Sequence, residues 1–261
     1  MWIKNISMLA FVSFGLGFNA MAEVPTTQRV EVLIGNIFVP TVGYEEKNDI
    51  EVTLDGYLPN ACYQLANAVV KAGATPNTFV VHQYADLRMD GVCAHPDTIP
   101  VQMRDYVPYT HNLSLGRLNV GSYKVAFNLN TGPERLSSFT VAPSSTMAVD
   151  DYPYAPVSAV NMADMVNGAN NVSVNLVGTL ANSCQYVQTV KVLPEPQDYT
   201  IVVLPILGFR TGVKCAQIVL PFEYKVNLGR LGEGRYLLHV RSMNGQAVTR
   251  VFSVIRPDPS L

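Results

Sequence analysis

The four cysteines are the residues whose type and spacing point most directly to a definite chemistry. Cys62 and Cys93 lie 31 positions apart (93 − 62), and the same distance separates Cys184 from Cys215 (215 − 184). Zinc sites usually contain closely spaced ligands such as CxxC, which this chain lacks, although Cys93-Ala-His95 comes near. Four cysteines in an exported chain favour disulfides, and the repeated spacing predicts one bridge within each pair. In the chain-entropy model, each bridge contributes about 3.7 kcal/mol to the free energy of unfolding.

The cysteines belong to a sequence module that occurs twice. Gly56-Tyr-Leu-Pro-Asn-Ala-Cys62 has its counterpart in Gly178-Thr-Leu-Ala-Asn-Ser-Cys184. Further along, each copy contains Leu-Gly-Arg-Leu and then a Gly-x-Tyr element. The chain is therefore predicted to contain two domains of the same fold.

The histidines offer little for catalysis or metal binding. His82 and His239 lie among apolar residues, which is typical of side chains on a strand face. His95 and His111 have no counterparts in the second copy. With Asp90, Asp97 or Asp105 they could form a metal site, and with Asp105 a catalytic one, but their spacing matches no ligand pattern. The chain also lacks the nucleophile elbow, the phosphate-binding loop and the dinucleotide fingerprint, so we expect a protein that is not an enzyme and that holds no metal or other cofactor.

The two copies differ most after their second cysteine. Cys93 lies 22 positions before Leu115 (115 − 93), whereas Cys215 lies 13 positions before the equivalent Leu228 (228 − 215). The first copy therefore carries nine extra residues (22 − 13) within 94–112. We expect this segment to contact a partner, although its tyrosines could instead cover the edge of their own domain. The candidate partner-binding residues are His95, Arg104, Tyr106, Tyr109 and His111.

The first 22 residues have the features of a signal peptide. Lys4 gives a positive start, residues 6–18 form an apolar run, and Ala20-Met-Ala22 is a small-x-small cleavage site. That run is short for a membrane span, and no later stretch is long and apolar enough, so we expect no transmembrane segment in the mature chain. Cleavage after Ala22 leaves 239 residues (261 − 22). The bacterial character of the signal predicts a periplasmic or secreted protein.

The composition argues against a nucleic-acid-binding protein and for a β protein. The formal net charge is −2, and lysine and arginine form no cluster that would track a phosphate backbone. Charged residues make up 15% of the chain and apolar residues 48%, with many valines, tyrosines and threonines, which favours strands.

Alternating apolar and polar residues predict about seven short strands in each copy, separated by Gly, Pro and Asn turns. Residues 63–72 are compatible with a helix, but their counterpart, residues 186–192, alternates and favours a strand. We therefore expect an all-β chain with domains at 28–142 and 152–256. A linker at 143–151 separates them.

The two domains resemble the tandem immunoglobulin-like β-sandwiches of secreted bacterial proteins. The resemblance rests on the strand pattern and on the Leu-x-x-Gly-x-Tyr element. That element ends at Tyr123 and Tyr236 and is similar to the tyrosine corner of sandwich domains. It implies two sandwiches, each with one intradomain disulfide, and tyrosine hydroxyls that bond to upstream backbone groups. The only tryptophan is Trp2, in the predicted signal peptide, so the core tryptophan of antibody domains is missing and antigen-receptor-like function is not implied.

These observations predict an exported, non-enzymatic binding protein or a structural protein of the cell envelope. Its partner is expected to be a protein or another cell-envelope component. One alternative is a protease inhibitor or chaperone-like protein that presents the disulfide-closed segments 62–93 and 184–215. A less favoured alternative is a hydrolase that uses the segment 94–112.

Overall fold

The chain folds into β-strands joined by turns and irregular segments. The computed structural model describes residues 26–41, 43–94, 100–128, 130–132, 134–195 and 199–256, in which two short 3-10 turns, Gly91–Ala94 and Val101–Met103, are the helical segments. The all-β prediction is confirmed. Within the described residues, no helix has the length and apolar character that a bilayer crossing requires. The predicted signal peptide and His95 lie outside the described residues.

The first sandwich consists of two sheets that enclose one apolar core. Its strands are β1 (Thr27–Val32), β2 (Ile34–Phe38), β3 (Tyr44–Glu45), β4 (Asp49–Leu58), β5 (Tyr63–Leu65), β6 (Val69–Ala72), β7 (Thr78–Arg88), β8 (Val107–Arg117), β9 (Gly121–Phe127) and β10 (Arg135–Ala142). The larger sheet has the order β1-β7-β9-β10-β3, and β5 and β6 also pair with β7. The smaller sheet has the order β2-β4-β8.

The second sandwich repeats this plan with fewer strands. They are β11 (Val157–Asn161), β12 (Met165–Asn167), β13 (Val172–Leu180), β14 (Gln185–Glu195), β15 (Thr200–Phe209), β16 (Leu220–Gly229), β17 (Gly234–Arg241) and β18 (Ala247–Ile255). The larger sheet has the order β12-β18-β17-β15-β14, and the smaller one has the order β11-β13-β16.

Apolar and polar residues alternate along the central strands, and the apolar ones form the two cores. On β4, Ile50, Val52 and Leu54 are fully buried in the first core. On β13, Val174 and Leu176 occupy the same place in the second core. Residues 63–72 form the two short strands β5 and β6, so the strand interpretation taken from the repeat is correct.

The strand count and the pairing differ from the simplest sandwich. The run 27–38 is divided at Leu33, because the chain leaves the larger sheet there and enters the smaller one. In addition, β7 pairs with β9 and β15 with β17 in parallel, whereas immunoglobulin sheets are antiparallel. The β-sandwich prediction is confirmed, and the immunoglobulin likeness remains a prediction.

Both predicted disulfides are present, one in each sandwich. Cys62 and Cys93 are joined with a Cα–Cα distance of 5.6 Å, and Cys184 and Cys215 with one of 5.3 Å. In each case the first cysteine directly precedes a strand and the second lies outside the strands. The segments between them are mostly β-hairpin, so the disulfide-closed segments are chiefly sheet and not free loops.

The tyrosine corner is also confirmed in both copies. The hydroxyl of Tyr123 donates to the carbonyl of Asn119 at 2.8 Å, and that of Tyr236 donates to the carbonyl of Gly232 at 3.1 Å. Each ring stacks on a core phenylalanine, with centroid distances of 5.5 Å and 5.6 Å. The repeated element therefore fixes the turn before β9 and β17.

The two sandwiches pack against each other through a polar, buried interface. On β17, Leu237, His239 and Arg241 point away from the second core yet are 1–2% exposed. His239 packs against Tyr44 of the first sandwich, and Arg241 is paired with Asp150 of the linker. Across this interface, the Arg235 guanidinium donates to both carboxylate oxygens of Asp55 on β4, at 2.7 Å and 2.9 Å. The Asp55 side chain is 3% exposed, so this ion pair crosses the interface in a region of low solvent access.

The linker adds a second ion pair to the same interface, and both of its side chains are buried. Arg241 is paired with Asp150, and the side chains are 2% and 7% exposed. The Asn48 side chain donates to the carbonyl of Val149 at 2.9 Å. These contacts tie the linker to both sandwiches.

Removal of Arg235 should destabilise the protein strongly. Arg235→Leu leaves the Asp55 carboxylate buried without its cation, which typically costs about 3–5 kcal/mol. The double variant Asp55→Asn/Arg235→Leu removes the orphaned charge and should recover most of that loss. Urea unfolding of the wild type and the two variants measures these differences.

The control for this prediction is Arg88→Leu, which removes an exposed arginine paired with Asp90. Its stability should stay close to wild type because exposed pairs contribute little. If Arg235→Leu behaves like Arg88→Leu, the interface does not depend on the Asp55–Arg235 pair.

His239 should make the stability depend on pH. Its ring is fully buried edge-on against Tyr44, at a centroid distance of 5.7 Å. Burial and, to a smaller extent, Arg241 lower the pKa of His239 from 6.5 to about 3. Between those values the unfolded chain binds a proton that the folded chain does not, so stability falls as the pH falls, by about 1.4 kcal/mol per pH unit. Wild type should therefore lose about 2 kcal/mol more than His239→Phe between pH 6 and pH 4.5 in urea unfolding; equal losses would contradict this.

Candidate functional site

A groove of about 630 Å³ opens where the chain crosses from β1 to β2. Most of its lining side chains are apolar or aromatic. They include Val30, Val32, Leu33, Tyr57, Pro59, Tyr63 and Tyr106. Leu33 and Tyr57 are about half exposed and Tyr106 is 73% exposed, so the groove has an aromatic, accessible rim.

The side chain of Asn128 stabilises this crossing by making the two backbone hydrogen bonds that a neighbouring strand would otherwise make. Its amide oxygen accepts from the Ile34 N–H at 2.9 Å, and its amide nitrogen donates to the Ile34 carbonyl at 2.8 Å. Both residues are buried. Asn128 has a φ of +62°, a left-handed conformation that asparagine tolerates better than most residues. The paired hydrogen bonds satisfy the backbone at the point where β2 begins.

Tyr109 supports the same crossing from the smaller sheet. Its hydroxyl donates to the carbonyl of Leu33 at 3.0 Å, and its ring lies over Gly56, where a Cβ atom would come within 2.9 Å of ring atoms. In the second copy, Phe222 lies over Gly178 in the same way. The glycine that opens the repeated motif is therefore required by a cross-strand aromatic ring.

Within the described residues, the outer edge of β1 has no neighbouring strand. There β1 pairs with β7 alone, and the N–H of Met89 donates to the carbonyl of Thr26 at 2.7 Å. Because antiparallel strands alternate, Thr27, Arg29 and Glu31 direct their backbone N–H and C=O groups away from β7. These outward groups make no hydrogen bond within the described part of the chain.

The charged side chains of β1 are held over the sheet. Arg29 makes two hydrogen bonds to Asp86 of β7, at 2.9 Å and 3.1 Å. Glu31 bonds to His82 of β7 at 2.6 Å and accepts from the Asn130 side chain at 3.0 Å. Charged side chains commonly protect an exposed strand edge. On β1 the side chains of Arg29 and Glu31 are instead bonded to side chains of neighbouring segments.

The second sandwich protects the equivalent edge. There the Ala155 N–H donates to the carbonyl of Pro205, and the Leu207 N–H donates to the carbonyl of Pro153, so residues 153–155 run along β15. Pro156, at the next outward position, has no N–H to offer. The open edge therefore distinguishes the first sandwich from the second.

Tyr106 is a predicted partner-binding residue with a well-exposed side chain. Its ring lies edge-on to Tyr57, at a centroid distance of 6.5 Å, on the rim of the groove. Arg104 lies in the turn after Val101–Met103 and is exposed. His95 lies outside the described residues. Partner binding by these residues remains a prediction.

Tyr109 and His111 occupy structural positions on β8. Tyr109 is 6% exposed, and burial, followed by the nearby Asp55 charge, raises its pKa above the ordinary value. His111 donates from Nδ1 to the side-chain oxygen of Gln83 at 2.8 Å, and burial lowers its pKa. Both side chains are therefore uncharged at neutral pH, and Tyr109 has almost no surface to offer a partner.

The structure places the nine extra residues of the first copy before β8. From Cys93 to the start of β8 at Val107 is 14 positions (107 − 93), and from Cys215 to the start of β16 at Leu220 is 5 (220 − 215), a difference of nine. The insertion therefore lies within 94–106. Tyr109 and His111 stand on a strand that both copies share.

Sequence reasoning missed Tyr57 and the edge of β1. Tyr57 stands where the repeated motif has Thr179 in the second copy, and this difference was a usable signal. The open edge had no signal in the sequence, because it depends on which strands are neighbours in the folded sheet.

No group of three or more His, Cys, Asp or Glu side chains that could hold a metal ion occurs among the described residues. At the junction of the sandwiches, Asp150 is engaged by Arg241. Asp151 accepts hydrogen bonds from the backbone N–H groups of Ser145 and Thr146. Both carboxylates therefore make contacts that hold the linker in place.

Comparison with known proteins identifies a similarity in the second sandwich. Residues 174–254 match the model of a family described as the ORF11 beta-sandwich domain. The match covers 81 residues (254 − 174 + 1) of the 261 and supports the sandwich assignment of that part. No curated protein and no solved structure matches the chain.

Replacement of Asn128 should destabilise the first sandwich. Asn128→Gly removes both hydrogen bonds to Ile34 while glycine still tolerates the positive φ. The buried N–H and C=O of Ile34 are left without partners, at a cost of about 3 kcal/mol, which urea unfolding measures.

Asn130→Gly is the matched control, since Asn130 is exposed and lies in the same turn. It should change stability much less. Equal losses in the two variants would contradict the role assigned to Asn128.

Proposed function

We propose that the protein is an exported, non-enzymatic binding protein whose first sandwich holds an extended segment of a partner protein. The observation that carries the proposal is the occurrence, on one strand, of an unpaired backbone edge and an aromatic groove. The segment would add a strand to the outer side of β1 and place alternate side chains in the groove.

The backbone of β1 supports the first half of this proposal. The outward N–H and C=O groups of Thr27, Arg29 and Glu31 offer the donors and acceptors of one half of a β-ladder. In strand addition, such main-chain hydrogen bonds provide affinity and pockets for alternate side chains provide specificity. Any partner segment in an extended conformation can make these main-chain hydrogen bonds.

The groove supports the second half of the proposal, the binding of alternate side chains of the partner segment. Val30 and Leu33 come from the β1–β2 crossing, and Tyr57 and Tyr106 supply exposed aromatic faces beside them. Tyrosine provides a large contact area at a low cost in conformational entropy and is enriched at binding hot spots. The groove therefore favours apolar or aromatic side chains on the partner segment.

Export and the absence of catalysis are part of the same proposal. Disulfides are typical of oxidising compartments, and both predicted bridges are formed. Near the groove, Tyr109 and His111 are committed to hydrogen bonds that support the fold. The packed interface with the second sandwich would hold the groove in a fixed orientation.

A proline at position 29 should weaken partner binding without unfolding the sheet. The Arg29 N–H points outward, so Arg29→Pro removes a donor from the open edge and leaves the bonds to β7 in place. Arg29→Val is the matched control, because it also loses the Asp86 pair but keeps the N–H. Peptides selected on the wild-type protein from a phage-displayed library of random 12-residue sequences serve as probes. We expect binding at least about tenfold weaker for Arg29→Pro and within twofold for Arg29→Val, measured by calorimetry.

The same peptides test the groove. Tyr106→Ala should weaken binding, whereas Tyr152→Ala, a half-exposed tyrosine of the linker, should not. Selected peptides that bind Arg29→Pro as tightly as wild type would show that the edge of β1 is not the site.

A further inference from the structure

The loop between β15 and β16 of the second sandwich exposes a group of apolar side chains. Phe209 at the end of β15 is 53% exposed, and Val213, Ile218 and Val219 are 57%, 51% and 71% exposed. All four lie within eleven positions of one another. Exposed apolar side chains concentrated on one loop are a feature of contacts with another molecule or with a membrane.

The loop is held in place by bonds at its base. Cys215 is joined to Cys184, and the Arg210 N–H donates to the carbonyl of Cys184 at 2.9 Å. The Ser183 N–H donates to the carbonyl of Ala216 at 3.1 Å, and the Ala216 N–H donates to the Ser183 hydroxyl at 2.9 Å. The apolar side chains are therefore presented on an anchored frame and are not covered by their own sandwich.

Neighbouring residues extend the apolar surface. Val219 and Met243 line a cavity of about 260 Å³, and Met243, Phe209 and Tyr152 line an adjoining groove of about 480 Å³. Met243 and Tyr152 are 42% and 50% exposed. The apolar surface thus continues from the loop across the end of the sandwich.

The charge of the loop is positive, although the whole chain has a net charge of −2. Arg210 and Lys214 are exposed, and residues 199–222 contain no Asp or Glu. Asp150 and Asp151 line the adjoining groove, where Asp150 is paired with Arg241 and Asp151 accepts hydrogen bonds from the backbone of Ser145 and Thr146. Apolar side chains flanked by basic ones fit the interface of a bilayer that contains anionic lipids.

We propose that residues 209–219 form a membrane-contact surface that binds anionic bilayers. Phe209, Val213, Ile218 and Val219 would enter the interfacial region, and Arg210 and Lys214 would meet the lipid phosphates. The first sandwich has a different structure here, since its second cysteine is buried and followed by the longer insertion. The proposal uses a surface of the second sandwich and does not depend on what the groove of the first one binds.

Vesicle flotation tests the proposal with the protein purified from the periplasm of an expressing bacterium. The probes are vesicles of phosphatidylcholine alone and of phosphatidylcholine with phosphatidylglycerol. We expect at least tenfold stronger partition to the anionic vesicles, a roughly fivefold or greater loss for Lys214→Glu, and a comparable loss for Ile218→Ser/Val219→Ser. Val101→Ser and Lys225→Glu, which change an exposed apolar residue of the first sandwich and a basic residue of β16, should bind as wild type.

A spectroscopic readout reports on the loop directly. Because the only tryptophan lies in the predicted signal peptide, Val219→Trp introduces a single reporter whose emission should shift to the blue on anionic vesicles, whereas Val101→Trp should not shift. Equal partition to both vesicle types, no partition to either, or binding that the loop variants leave unchanged would overturn the proposal.

Discussion

The pair of hydrogen bonds between the Asn128 amide and the backbone of Ile34 is the interaction on which the candidate site depends. A strand that changes sheets must leave one set of backbone partners before it finds the next, and buried backbone groups without partners are costly. Asn128 bridges that gap, and Tyr109 adds a bond to the preceding carbonyl. The crossing leaves β1 at the edge of the larger sheet beside an aromatic groove. In the second sandwich, the equivalent crossing uses the hydroxyl of Ser242, which donates to the carbonyl of Val157 at 2.9 Å, and a proline follows the edge segment.

The duplicated modules have diverged in what they expose and not in how they are built. Both keep the disulfide, the tyrosine corner and the glycine beneath a cross-strand aromatic ring. The first copy has extra residues before β8 and leaves the outer edge of β1 open. The second copy exposes an apolar, basic loop between β15 and β16. The Asp55–Arg235 pair, in which the Asp55 side chain is buried, joins the two sandwiches. Buried ion pairs add little stability over apolar packing but penalise misplacement, so this pair is suited to fixing the orientation of the sandwiches.

Much of the fold could be predicted from the sequence because it depends on local patterns and on the repeat. Equal cysteine spacing gave both disulfides, and alternation gave the strands, including residues 63–72. The site could be predicted only in part. Tyr106 was identified from its place in the inserted segment, but Tyr109 and His111 point inward because β8 alternates between core-facing and exposed side chains. Tyr57 and the β1 edge depend on the order of strands in the sheet, which no local pattern specifies. The interface with the second sandwich likewise has no local signal, since Asp55 and Arg235 are 180 positions apart.

Amide hydrogen exchange along β1 tests the central claim most directly. If the outer edge is open, the amides of Thr27, Arg29 and Glu31 should exchange rapidly in the free protein, while those of Gln28, Val30 and Val32, which face β7, exchange slowly. A bound partner segment should slow the first set and leave the second unchanged. Protection of all six amides in the free protein would show that the edge is already covered and would contradict the account.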